Sequence, residues 1–443
     1  MPTTEEENTI LKLSNLLTIE NIKKTFLYIK NYGFRAFLIK ATGKVLDITE
    51  SDADASAPKG ADSCTSDFRE KNLAEAYIRT VAKDPNSFVD LISPDDEMYI
   101  FTRNHVDQKE TALYLYFKSG REALQCIEQI VRFSEKSFRG VRSFLDFACG
   151  YGKSTRFLIQ EIEPGKVWVS DIYKGAVDFQ KKIFGVNGFY SETEPSKLEF
   201  PRKFEVIYTG SLFSHLPANR FEEWLSTLSN ILEDDGIFIL STHGETLCPP
   251  GFQVDPSGFT FLKFSESRSL STEEYGCTFV TRAWVERLGE KLGIMNIYFL
   301  EKELWGSQDI YVVTKRDMPS LNNVLPKRFP QGNVESIHIA EDGGVSVRGW
   351  AIDGEFGAPV KEVLIYVGDA FLGRAALGTQ RPDVADHFKR ADCLNSGWQY
   401  SAKPLGVMND EIKRESCFII IKALIKNQRG DVTYLFSTHE TNK

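Results

Sequence analysis

The chain has no run of 18 consecutive apolar residues, no Cys-x-x-Cys pair and no block of lysine or arginine around its central glycine-rich segment. The first absence excludes a membrane-spanning helix, which needs about 20 predominantly apolar residues. The first ten residues hold three glutamates and no basic side chain, so a secretory leader is not expected. Seven cysteines (64, 126, 149, 248, 277, 393 and 417) are scattered and odd in number, which points to free thiols in a reducing, cytoplasmic setting and to no zinc site. The formal charge is −9, from 53 basic and 62 acidic side chains. Without a basic stripe, nucleic acid is not the expected partner, because phosphate contacts supply most non-specific affinity. At 443 residues the chain exceeds one ordinary core, and two or three domains are expected.

What the chain does have is concentrated between residues 143 and 171. An apolar strand from Ser143 to Phe147 runs into Ala148-Cys149-Gly150-Tyr151-Gly152, then a helical segment from Ser154, then a second apolar strand from Lys166 that ends on Asp171. Strand, glycine-rich turn, helix, strand and acid describe a nucleotide-type cofactor site: glycines let the backbone approach the ligand, and a carboxylate accepts both ribose hydroxyls. A dinucleotide fingerprint would carry Gly or Ala three residues after its second glycine, and here that position is Thr155, which argues against NAD.

An acid at the end of the first strand, followed by small residues at alternate positions (Asp146, Ala148, Gly150, Gly152), resembles the first motif of class I S-adenosylmethionine-dependent methyltransferases. The resemblance covers about residues 96–317. It implies a Rossmann-like α/β sheet of seven strands, with the turn holding the methionine part of the cofactor, Asp146 near its amino group and Asp171 on the ribose. The cofactor residues it implies are Asp146, Ala148, Cys149, Gly150, Gly152, Ser154, Thr155, Asp171, Ile172, Ser211 and Leu212, with Tyr116 from a helical lid that precedes the first strand. It also implies that the segments Ser211–Pro217 and Ser269–Gly276 frame an acceptor pocket.

The following residues fit alternating strands and helices, hence a parallel sheet covered on both faces, with ligands at the carboxyl ends of its strands. Phe204 to Thr209 is a buried-strand pattern, and Arg220 to Leu232 is amphipathic, stopped by Glu-Asp-Asp-Gly236. Ile237 to Thr242 reads as the next strand, Thr281 to Leu292 as a helix, and Met295 to Leu300 and Asp309 to Thr314 as the last two strands. The roughly 30-residue connection from Cys248 to Cys277 is far longer than usual and is expected to bind something. Methyl transfer needs alignment and exclusion of water rather than a metal or a covalent nucleophile. A hydroxyl acceptor must lose its proton, and His215 and His243, which follow the fourth and fifth strands, are the candidate bases, with Glu245 as partner or substitute. A packing role for either histidine is the plainer alternative.

Beyond a proline-bearing linker the hydrophobic period changes from 3.6 to 2. Val345 to Val347, Val363 to Val367, Phe418 to Ile421 and Val432 to Phe436, separated by turn signals, predict an antiparallel, immunoglobulin-like β-sandwich. Gly349-Trp350-Ala-Ile-Asp353, Gly378-x-x-Arg381-Pro-Asp-Val-Ala385 and Asn395-Ser-Gly-Trp398 resemble a module appended to bacterial glycosyltransferases and methyltransferases of surface-polysaccharide pathways. Trp350, Trp398 and the Arg-Pro-Asp-Val segment read first as packing and bracing, with glycan contact as the alternative. At the other end, residues 21–46 hold six basic side chains and no acid, interleaved with aromatic and aliphatic ones. Such a segment either lies on the inner face of a membrane or docks as a helix on protein.

The domains expected are therefore a basic amphipathic helical segment (1–47), a flexible linker (48–68), a helical lid region (69–135), the methyltransferase core (136–317), a linker (318–334) and the β-sandwich (335–443). The expected activity is O-methylation of a saccharide or glycan precursor, with S-adenosylmethionine as cofactor and no metal. A glycosyltransferase or another polysaccharide-pathway protein is the expected partner of the sandwich. A small-molecule methyltransferase, a nucleotide-sugar or NAD-dependent enzyme on the same fold class, and a non-catalytic scaffold are the alternatives.

Overall fold

The computed structural model describes residues 66–106, 109–248, 252–263, 267, 270–325, 327–340, 344–402 and 418–440. The basic segment 21–46 and nearly all of the linker 48–68 lie outside the described residues. The described chain falls into two compact units, one of residues 91–97 and 122–324, the other of 66–90, 98–121 and 325–440. Three helices precede the first strand: α1 (Ser66–Val81), α2 (Glu97–His105) and α3 (Ala112–Phe133). Most of the first two, and the start of the third, group with the C-terminal strands.

The first unit is built on a seven-stranded sheet. Its strands are β1 (Phe144–Phe147), β2 (Val167–Asp171), β3 (Asn187–Tyr190), β4 (Phe204–Thr209), β5 (Leu232–Thr242), β8 (Asn296–Leu304) and β9 (Gln308–Thr314), in the order β3-β2-β1-β4-β5-β9-β8. All of β1 and β4 is buried, as continuous apolar strands covered on both faces should be. Short helix α4 (Thr155–Leu158) follows β1, α5 (Lys174–Phe184) follows β2, α6 (Ala218–Asn230) follows β4 and α7 (Arg282–Lys291) precedes β8. Helix α6 buries Phe221, Trp224, Leu225 and Leu228, the i, i+3, i+4, i+7 stripe, into a core that includes Phe147, Phe213 and Phe238. Thr281 caps α7, its side chain accepting from the Trp284 amide.

Two expectations are corrected here. The sheet is parallel only through β5, because β9 pairs antiparallel with both β5 and β8. The β8–β9 hairpin turns on Trp305 and Gly306, with φ of 57° and 67°, the left-handed pair of a tight turn that matches strand twist. The acidic run expected to stop a helix instead opens β5 at Leu232. It stays extended because its charges have partners: Lys136 reaches Glu205 at 2.9 Å and Asp235 at 3.0 Å, and Arg142 reaches Glu233 at 2.7 Å. The long connection after β5 also contains a strand, β6 (Phe259–Leu262), paired antiparallel with β7 (Cys277–Val280) as a separate ribbon.

The second unit holds two four-stranded antiparallel sheets. One is ordered β10 (Gln331–Ile339), β11 (Val345–Ile352), β15 (Gly397–Ala402) and β14 (Ala376–Thr379); the other β13 (Ala370–Arg374), β12 (Glu362–Val367), β16 (Phe418–Lys426) and β17 (Val432–Glu440). Val345, Val347, Trp398 and Tyr400 from the first share one core with Val363, Ile365, Ile421 and Ile425 from the second. Strand β10 begins at Gln331, inside the stretch expected to lack regular structure, because it finds the edge of β11 to pair with. Trp398 is buried in this core, and Trp350 stands edge-on to Phe388 of α8 (Pro382–Phe388) at 5.6 Å. Arg381 grips Glu335 at 2.6 and 2.8 Å and Asp383 at 2.6 and 2.8 Å, which braces the segment.

Candidate cofactor and acceptor site

The carboxyl ends of β1 and β2 carry the two acids. Asp146 is buried, and its Oδ2 accepts from the Thr155 hydroxyl at 2.8 Å. Thr155 thus turns the position where a dinucleotide site needs a small residue into a hydrogen-bond donor for the strand-end acid. Burial pushes the Asp146 carboxyl up to about 7, opposed by the Thr155 bond and supported by the nearby Asp171 charge. Asp171 accepts from the Gly150 amide at 2.8 Å and the Tyr173 amide at 2.9 Å. Burial raises its carboxyl too, with these backbone donors working against the rise.

Between the acids the chain makes a turn that only a few conformations allow. Ala148, Gly150 and Gly152 all have positive φ, at 60°, 52° and 83°. Gln180 of α5 donates to the Gly150 carbonyl at 2.7 Å, and the fully buried Arg156 donates to the carbonyls of Gly152 at 3.1 Å and Leu91 at 3.2 Å. The two glycines face different surroundings. A Cβ on Gly152 would sit 2.3 Å from the Phe184 ring, whereas one on Gly150 would meet nothing within 4 Å. The turn is therefore packed from behind at Gly152 and open in front at Gly150, as a backbone cradle for a ligand must be.

Lys153, next in sequence, places its ammonium 4.5 Å from the Trp305 ring centre. Burial pulls it down to about 8, against the charges of Asp96, Asp146 and Glu122. Of the other residues expected at the cofactor, Cys149 is buried, its amide on the Ser170 carbonyl, and Ser154 and Ile172 are half-buried beside the turn. Tyr116 belongs to the second unit, buried against Tyr99 at 5.9 Å and Phe117 at 5.7 Å.

A second cluster follows β4 and β5. Ser211 also has positive φ, 61°, and its amide donates to Ser241 Oγ at 2.7 Å, while the half-buried Leu212 packs on the sheet core. His215 is buried, its Nδ1 2.7 Å from the Gly276 carbonyl and its ring stacked on Tyr275 at 4.5 Å. His243 lies edge-on to it at 5.9 Å, with Nδ1 3.7 Å from Cys277 Sγ. The structure thus brings the two histidines together under the connection that leads into β7. Glu245 is exposed on the short turn Glu245–Leu247, and among the described residues no hydrogen bond joins it to either ring. Two participants carried no local sequence signal: Gln308 bonds Ser211, Ser241 and His243, and Trp305 covers Lys153. Tyr275, which covers His215, lies in the segment Ser269–Gly276 expected to frame the acceptor pocket.

Residues 144–236 match the family model of a methyltransferase domain. None of the curated proteins matches the chain. Among solved structures it is similar to an S-adenosylmethionine-dependent methyltransferase from Clostridium acetobutylicum, at 18% identity over 48% of this chain and 93% of that one, with a TM-score of 0.31. It is also similar to DesVI from Streptomyces venezuelae (15% identity, 48% and 100% covered, TM-score 0.33). A third is CalS10, an amino pentose methyltransferase from Micromonospora echinaspora solved with S-adenosylmethionine bound (13%, 46% and 97%, 0.34).

The open turn and the acids fit that cofactor's chemistry. Asp146 keeps Oδ1 without a hydrogen bond among the described residues, available to an ammonium, and each Asp171 oxygen already on an amide has a second lone pair for a hydroxyl. Asp171→Ala is expected to weaken S-adenosylmethionine binding about 10- to 100-fold, since a hydrogen bond to a charged group is worth roughly 1.5–3 kcal/mol. Calorimetric titration checks this, and wild-type affinity in the variant would contradict the assignment.

Proposed function

We propose that the chain is an S-adenosylmethionine-dependent methyltransferase that transfers the methyl group to a hydroxyl of a saccharide or glycan precursor. The cofactor is S-adenosylmethionine. The observation that carries the proposal is the pair of buried carboxylates on adjacent parallel strands, Asp146 and Asp171, flanking a turn that is open at Gly150. The saccharide acceptor is supported by the sequence resemblance of Gly349–Asp353, Gly378–Ala385 and Asn395–Trp398 to modules appended to surface-polysaccharide enzymes, in a unit whose two sheets we read as an immunoglobulin-like sandwich. That unit is assigned to substrate docking or to a polysaccharide-pathway protein.

In this function the residues of the turn and the two acids bind and orient the cofactor. The cofactor supplies an electrophilic methyl on a sulfonium. The histidines behind β4 and β5 are the groups available to take the acceptor's proton, a contribution of about 10²–10⁴-fold. Among the described residues no helix is long and apolar enough to cross a membrane.

The test is transfer of radiolabelled methyl from S-adenosylmethionine into an extract of the source organism, sorted into glycan, lipid, protein, nucleic-acid and small-molecule fractions. Label in glycan or glycolipid is the expected result. Label in another fraction would keep the methyltransferase and replace the acceptor; bound cofactor with no transfer would favour a scaffold.

A further inference from the structure

Lys153 follows directly on Gly152, the packed glycine of the turn, and is half-buried. A lysine ammonium that leaves water normally gains a carboxylate or a hydrogen bond, because an uncompensated buried charge is expensive. Among the described residues this one has neither. No ion pair or hydrogen bond reaches its Nζ, and its contact is the face of Trp305 at 4.5 Å. Trp305 is held there by the β8–β9 hairpin, whose turn sets it and Gly306 at φ of 57° and 67°. Burial lowers the Lys153 ammonium, and the charges that support it, those of Asp96, Asp146 and Glu122, act at longer range.

Three acids around one cation make a pattern, and all four belong to the first unit. An anion entering such a place would be repelled by Asp96, Asp146 and Glu122 unless it met Lys153, whereas a cation would be drawn to the acids. A ligand that carries both charges close together fits both halves of the pattern. An α-amino acid is such a group. Its ammonium and carboxylate share one carbon, so the side chains that bind them must be neighbours. Asp146 and Lys153 are neighbours in this sense, since each acts on the ionisation of the other. Asp146 is the acid assigned to the cofactor's amino group, and the turn that joins it to Lys153 is open at Gly150.

We infer that Lys153, backed by Trp305, binds the carboxylate of the methionine part of S-adenosylmethionine. The inference rests on the methyltransferase function proposed above. The carboxylate gives the ammonium the ion-pair partner that the described residues do not supply. The Trp305 ring shields the ammonium from water on its own side, and a charge pair shielded from water is stronger. The hairpin therefore serves both halves of the site: Gln308 reaches the acceptor cluster, and Trp305 reaches the cofactor through Lys153.

Two ligands separate this role from packing: S-adenosylmethionine, and its decarboxylated analogue, which keeps the adenosine, the sulfonium and the amine and lacks the carboxylate. In calorimetric titration of the full chain, the wild type should prefer S-adenosylmethionine by about tenfold or more. Lys153→Met keeps an apolar stem against Trp305 and removes the charge. It should bind S-adenosylmethionine about 10- to 100-fold more weakly, and the analogue no more weakly than the wild type does, so that the preference disappears. An equal loss for both ligands would make Lys153 a packing residue and overturn the inference. A preference that survives in the variant would overturn it too. If Lys153→Met does not fold, Lys153→Gln is read in the same way. Equal affinity of the wild type for the two ligands would leave the S-adenosylmethionine site standing and remove the role of Lys153. Binding of neither ligand to the wild type would overturn the methyltransferase function and this inference with it.

Discussion

Asp146→Asn is expected to make the protein more stable at pH 8 and, in the same variant, to weaken S-adenosylmethionine binding about 10- to 100-fold. The two effects have one cause. Burial raises the Asp146 carboxyl to about 7 in the folded chain, from 3.8 in an unperturbed one. Between these values the folded state binds a proton that the unfolded state has released, so stability falls as pH rises through the window and the penalty is complete above about pH 7. At 1.36 kcal/mol per unit, the ionised carboxylate costs on the order of 4 kcal/mol there. Asparagine keeps an oxygen for the Thr155 hydroxyl and removes the charge, so a gain of about 2–4 kcal/mol is expected at pH 8, shrinking as pH falls toward 4. The cofactor's ammonium, by contrast, needs the charge. Wild-type binding should therefore release a proton below pH 7 and weaken by up to about tenfold per pH unit. Thermal melts and calorimetry at pH 5, 7 and 8 read both effects; an unchanged melting temperature together with unchanged affinity would refute them.

Gly152→Ala carries the second large effect. The added methyl would lie 2.3 Å from Phe184 Cε2 and 2.9 Å from Gln180 Oε1, at a φ of +83°. Neither neighbour can retreat easily. Phe184 is buried between Phe179 at 5.8 Å and the Arg156 guanidinium at 5.3 Å, and Gln180 already holds the Gly150 carbonyl. Overpacking costs about 1–3 kcal/mol and the left-handed backbone a further 1–2, so a loss of about 2–5 kcal/mol is expected, with cofactor binding lost alongside. Gly165→Ala is the matched control, since a Cβ there meets nothing within 4 Å, and its melting temperature should stay near wild type. Equal melting of the two variants would mean that the turn is not packed as described.

The sheet and the turn were legible because their signals are local. Continuous apolar runs gave β1, β2 and β4, and glycines at alternate positions between two acids marked the place where the chain takes positive φ. The misread elements are those decided by distant partners. Glu233 and Asp235 look like turn residues until Arg142 and Lys136, 91 and 99 residues earlier, neutralise them. The antiparallel setting of β9 depends on a hairpin whose turn residues, Trp305 and Gly306, have no spacing that announces them. Gln308 reaches Ser211 from 97 residues away, and Tyr275 reaches His215 from the far end of a long connection. No periodicity along the chain encodes such meetings. Only the fold brings a glutamine, two serines and a histidine to one point.

The central claim is that the turn between Asp146 and Asp171 holds S-adenosylmethionine. Titration of the wild-type chain by calorimetry, with S-adenosylmethionine and with NAD in parallel, tests it most directly. Saturable binding of S-adenosylmethionine, one per chain, with no heat from NAD is the result expected; saturable binding of NAD, or of neither, would contradict it.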